Sequence, residues 1–131
     1  MNTRGIFWFF LCATLASVAL RAATPASLSL RGTVTNTTME LSALARMDLL
    51  IDGEKITGRL VTEKPLLGTG AVTGRFVGGW LELSAKTDEG FLLQFRGTLS
   101  PRDYRGTYLA VLPGQLAQYG RFTLLRGEAA K

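Results

Sequence analysis

The sequence predicts an all-β fold: a small antiparallel up-and-down (meander) β-barrel of about eight short strands, preceded by an N-terminal signal peptide helix. Three observations carry this. Apolar and polar residues alternate with period two along several runs, turn-forming residues recur between those runs, and one glycine phrase returns inside five of them. Period-two alternation marks a strand with one buried face. Short strands at regular spacing with turn signals between them imply a sandwich or barrel.

The 131-residue length fits a single domain. Its N-terminus reads as a targeting segment: Arg4 in a short basic start, an apolar run from Ile6 to Leu20, then small residues. A membrane-spanning helix needs about 20 apolar residues, so this run is short for one. Residues 1–23 are therefore assigned to a signal peptide, with cleavage expected between 19 and 26, and an uncleaved signal anchor is the alternative. The one cysteine, Cys12, lies inside the apolar run behind Leu11, where a lipidation signal would have a small residue. Secretion or a periplasmic location follows, for a mature chain with neither cysteine nor histidine and hence no disulfide. About 105 residues remain, enough to build a core. Loss of Arg4 and Arg21 lowers the net charge from +5 to +3, with both signs spread along the chain. No polybasic block marks a nucleic-acid partner, and no stable membrane span is expected in the mature chain.

The barrel domain is assigned to residues 27–127, and 128–131 to a frayed tail. Its first strand is Leu28–Val34. The next segment, Met39 to Asp52, is rich in helix-forming residues, yet every odd position from Met39 to Ile51 is apolar. That is period two, so Ala45–Asp52 reads as strand; the part before it is strand or a helical turn opened by Thr37 or Thr38. Asp52-Gly53 is a hairpin signal leading into Lys55–Thr62. A loop with Pro65 precedes Thr69–Phe76, and Gly78-Gly79 turns the chain into Trp80–Lys86. Thr87–Gly90 turns it into Phe91–Leu99, Ser100–Asp103 is a type I turn with Pro at its second position, and Tyr104–Leu112 follows. Pro113-Gly114 marks the loop before Tyr119–Arg126. Short links favour sequential antiparallel pairing. Strands of seven to nine residues with a charged outer face differ from the apolar-belted strands of an outer-membrane barrel.

In the glycine phrases, alternation places Gly32, Gly58, Gly74, Gly97 and Gly106 on the apolar, inward face. Glycine inside a strand costs about 0.5–1 kcal/mol relative to alanine. Two readings account for it. Each glycine lets its strand coil or makes room for a bulky side chain across a narrow barrel, or the missing side chains leave a cavity for an apolar ligand. Phe76, Trp80, Tyr104 and Tyr108 are the candidate lining residues of such a cavity, with Phe91, Phe95 and Phe122 as further fillers. On the polar face, Arg59, Arg75, Arg96 and Arg105, with Arg31, neighbour the glycines. They are either a basic contact surface for an acidic polymer or lipid head groups, or solvated residues offset by Glu54, Glu63 and Glu82.

Without histidine or a mature cysteine, Ser-His, Cys-His and zinc arrangements are absent, and no metal or cofactor is expected. A carboxylate pair such as Glu82 with Asp103 is the remaining route to hydrolysis. Asn36-Thr37-Thr38 is a glycosylation sequon. In strand count and turn spacing the chain resembles small ligand-binding barrels of the lipocalin and avidin kind. The Gly-x-Trp of lipocalins is missing from the first strand, where Gly32-Thr33-Val34 stands. The expectation is a non-catalytic secreted or periplasmic barrel that binds a small apolar ligand or a partner. The alternatives are an envelope interaction protein using its arginine face and a carboxylate-pair hydrolase.

Overall fold

The computed structural model describes residues 24–127. The segment assigned to the signal peptide and the tail at 128–131 lie outside the described residues. Eight strands follow one another: β1 (Ala26–Asn36), β2 (Leu41–Asp52), β3 (Lys55–Thr62), β4 (Gly68–Val77), β5 (Trp80–Thr87), β6 (Leu92–Leu99), β7 (Asp103–Val111) and β8 (Gln118–Arg126). Each pairs antiparallel with the next, and β1 pairs antiparallel with β8, closing the barrel. The predicted meander barrel is the observed one. The segment left open between strand and helical turn resolves into a turn at 37–40 and a strand from Leu41, in which Ala43, Ala45, Met47 and Leu49 face inward.

The register fixes the barrel's girth. Paired residues followed round the wall run Ala26, Ile51, Ile56, Gly74, Leu83, Phe95, Tyr108, Gly120 and back into β1 at Asn36. The circuit returns ten residues further along β1 than it began. Ten residues at about 3.4 Å each, across eight strands about 4.8 Å apart, tilt the strands about 40° from the axis.

The inward glycines make that coiling possible. A Cβ on Gly106 would collide with the carbonyl oxygen of Arg96 on β6 and lie 2.6 Å from the Cα of Gly97, its partner across the pair. Gly97 meets the β7 backbone at Arg105 in the same way. Gly70 and Gly120, outside the repeated phrase, sit equally close to the carbonyls of Lys86 and Thr35. The structure thus supports the coiling account: the space a side chain would need is taken mostly by the neighbouring strand's own backbone. At Gly120 the Tyr108 ring shares it, as the room-making account requires.

The two ends differ. At one, β2–β3 and β4–β5 are joined by two-residue turns and β6–β7 by three residues. Gly78 and Gly79 both take positive φ (60° and 81°), the type I′ geometry that matches strand twist. At the other end four longer loops gather, residues 37–40, 63–67, 88–91 and 112–117. Outside, the wall carries Arg31, Arg46, Asp48, Arg59, Glu82 and Arg96 in exposed positions.

A Gly106→Ala change is expected to destabilise the barrel by about 1–3 kcal/mol, because only backbone movement relieves the collision. Gly127→Ala, whose Cβ would meet nothing closer than 3.6 Å, is expected to leave stability unchanged. Chemical denaturation of both variants measures the contrast.

Candidate functional site

The barrel's inward residues are graded in size. Toward the short-turn end the side chains are large, Leu30, Met47, Ile56, Leu81, Tyr104 and Leu124, all nearly or fully buried, and they fill the space between the close-contact glycines Gly58, Gly74, Gly97 and Gly106. Toward the long-loop end they are small: Val34, Ala43, Ala45, Gly68, Gly70 and Ala110. Between them four aromatic rings form a plug. Phe95 stacks on Tyr108 at 5.7 Å and meets Phe122 edge-on at 5.2 Å, and Phe122 leans on Tyr104 at 4.6 Å. Such contacts fix ring positions beyond what burial alone achieves. The Tyr104 hydroxyl donates to the carbonyl of Leu81 at 2.9 Å, which satisfies it within the core. Burial, with the nearby Glu82 charge, drives its pKa well above the ordinary tyrosine value.

Above the plug the small side chains leave space. A pocket of about 440 Å³ opens at the long-loop end, with Phe95 and Tyr108 as its floor and Val34, Leu93 and Ala110 in its wall. Pro65, Leu66, Phe91 and Leu112 overhang it from the loops. The volume lies in the range of small-molecule sites, and the lining is mainly apolar with a few polar groups. Burial pushes the Tyr108 hydroxyl up to about 12, so it stays neutral at physiological pH.

The polar lining is of two kinds. Asn36, buried at the end of β1, donates to Gln118 Oε1 at 2.7 Å and accepts from the Met39 amide at 3.0 Å, so it holds two loops in place. Thr62 differs. It is 6% exposed, faces inward at the end of β3, and its Oγ1 is the one buried side-chain polar atom among the described residues without a hydrogen-bond partner. A buried hydroxyl without a partner is destabilising, and native structures retain few of them. Backbone strain collects at the same end. Glu40 and Leu67, the non-glycine residues with left-handed φ (57° and 55°), both belong to loops around the mouth. That conformation is uncommon outside glycine and tends to persist where function requires it.

Of the four aromatics nominated from sequence, Tyr108 lines this pocket. Tyr104 lies below it in the core, and Phe76 packs half-buried near the short-turn end. Trp80 is corrected outright: it is 44% exposed, faces outward, and donates from Nε1 to Glu82 at 3.0 Å. Its parity explains this, since Trp80 alternates with Glu82 and Lys86 while Leu81, Leu83 and Ala85 turn inward. Phe91 and Phe95, expected as fillers, also line the pocket, whereas Thr62, Leu66 and Leu93 were not named from sequence. Thr62 had a legible signal, because it shares parity with the buried Ile56 and Leu60.

The arginines all lie outside. The register separates Arg59 from Arg75, which are paired with Ala71 and with Lys55 and Glu82. Arg59 and Arg105 form ion pairs with Asp88 (3.6 Å) and Asp103 (3.2 Å). Lys55, Arg75, Glu82, Arg96, Thr107 and Arg121 occupy successive places in one cross-strand row. Glu82 and Asp103, the carboxylates considered for hydrolysis, are occupied with Trp80 and with Ser100 and Arg105.

Fold and pocket together define a closed eight-stranded barrel with an apolar pocket open at one end. Comparison with known proteins finds no family model, no curated protein and no solved structure that matches the chain.

Thr62→Val is expected to stabilise the ligand-free protein by about 1 kcal/mol, by replacing a buried hydroxyl without a partner with a methyl group. The shift in denaturation midpoint at unchanged slope measures it.

Proposed function

We propose that this protein is a non-catalytic binding barrel that holds a small apolar ligand in the pocket at its long-loop end, in a secreted or periplasmic setting. The observation that carries this is the grading of the interior. Large side chains and an aromatic plug fill the short-turn half, while small ones leave about 440 Å³ above Phe95 and Tyr108. A barrel of eight strands is of the size that either fills with side chains or holds one small ligand. The strained loop residues Glu40 and Leu67 and the unsatisfied Thr62 hydroxyl, all at the same end, support the reading.

Ala110→Trp would put an indole into this space from the wall. A fluorescent apolar probe is expected to bind the unmodified protein and to lose at least about tenfold in affinity, about 1.4 kcal/mol, in the variant. Unchanged circular dichroism would show that the barrel still folds, and equal probe binding by the two proteins would sink the reading.

A second reading, contact with an anionic envelope component, rests on the outer row: Arg75, Arg96 and Arg121 have no ion-pair partner among the described residues. Retention on an anionic polymer column is expected to weaken when all three become glutamine, and retention unchanged by that substitution would remove the reading.

A further inference from the structure

The pocket's mouth has a definite charge. Its four loops carry Glu40, Glu63, Asp88 and Glu89 against a single Lys64. The rest of the described chain is predominantly basic, so these loops give the opening a net negative charge that the remaining surface does not share. Asp88 is engaged by Arg59 on the outer wall. Glu89 is exposed, and it is the one charged residue lining the pocket.

Glu89 and Thr62 both line the pocket on the side where β4 begins. Glu89 Oε1 accepts from the Thr69 amide at 3.3 Å, which ties the carboxylate to the start of β4. The neighbouring Gly68 is paired with Thr62 across β3–β4, and a Cβ on Gly68 would lie 3.5 Å from the Thr62 hydroxyl. A carboxylate and a buried hydroxyl without a partner are therefore both in the lining of one apolar space, beside the start of β4. Exposed apolar residues stand on three of the loops at this end, Met39, Leu67 and the 90% exposed Leu116.

We infer that the ligand is an apolar amine, with its hydrocarbon body above Phe95 and Tyr108 and its ammonium group toward Glu89 and Thr62. This rests on the reading of the pocket as a ligand site. An ammonium is a compact donor with several N–H groups, so it can donate to the Thr62 hydroxyl and the Glu89 carboxylate together. A carboxylate head of the same chain would meet Glu89 as a like charge, with Glu40 and Glu63 adding to the repulsion and the Thr62 hydroxyl alone to oppose it. An alcohol of the same length meets neither attraction nor repulsion of charge.

The test compares three straight-chain amphiphiles of one length, an alkylammonium, an alcohol and a carboxylate, each below its micelle-forming concentration, by displacement of the fluorescent apolar probe. The expected order is ammonium, then alcohol, then carboxylate, with about tenfold or more between the first and last at low salt. Glu89→Gln keeps an acceptor for the Thr69 amide and is expected to shrink the gap to a few-fold, lowering ammonium affinity much more than alcohol affinity. Thr62→Val is expected to weaken both ammonium and alcohol. Carboxylate binding as tight as ammonium, or a gap insensitive to Glu89→Gln, overturns the inference while the pocket stands. Displacement by none of the three overturns the pocket reading itself.

Discussion

At each of several points on this barrel, the backbone of one strand occupies the place where the next strand's side chain would begin. The paired glycines Gly97 and Gly106 show it most directly: each sits over the other strand's carbonyl, on the inside, where a methyl group has no room. The strong coil that closes eight strands with a stagger of ten residues depends on such contacts. The glycines weaken each strand considered alone and make the closed sheet possible. Over Leu30–Asn36 and Gly120–Arg126 the edges of β1 and β8 satisfy each other's backbone hydrogen bonds, which closes the sheet.

Within that frame, the interior divides by side-chain volume. Inward positions carry mostly leucine, isoleucine, methionine and tyrosine below, between the close-contact glycines, and mostly alanine, glycine, threonine and valine above, with Leu93 the large exception. Close packing explains why this matters, since atoms missing from one half are not recovered from the other once aromatic rings lock the level between them. The pocket is thus a property of residue sizes along strands, framed by loops that are longer at that end.

Much of this was legible in the sequence. Alternation from Leu41 to Ile51 outweighed the helical composition of β2, because tertiary burial overrides propensity. Turn residues set the strand limits to within a few residues. The site was less legible. Aromatic size suggested Trp80 as a lining residue, although its parity with Glu82 and Lys86 already placed it outside. Phe76 and Tyr104 do face the core, but a position along the barrel axis depends on the register summed over several strands, which alternation within one strand does not contain. Thr62 was overlooked because a threonine at a strand end resembles its outward neighbours until its parity is counted. Glu89 entered as an ordinary turn residue, and only the loop's position at the mouth gives its charge a direction.

The seam between β1 and β8 also orders events in time. Asn36 pairs with Gly120, and Leu30 with Arg126, so the first strand made by the ribosome finds its second partner only when nearly the whole domain has been synthesised. Until then hairpins can form, but the wall stays open and the interior stays wet. Contacts of such long sequence separation slow folding, because distant segments must meet before their pairing is rewarded. A chain built this way remains pliable while it emerges, and becomes a closed barrel only at its last strand.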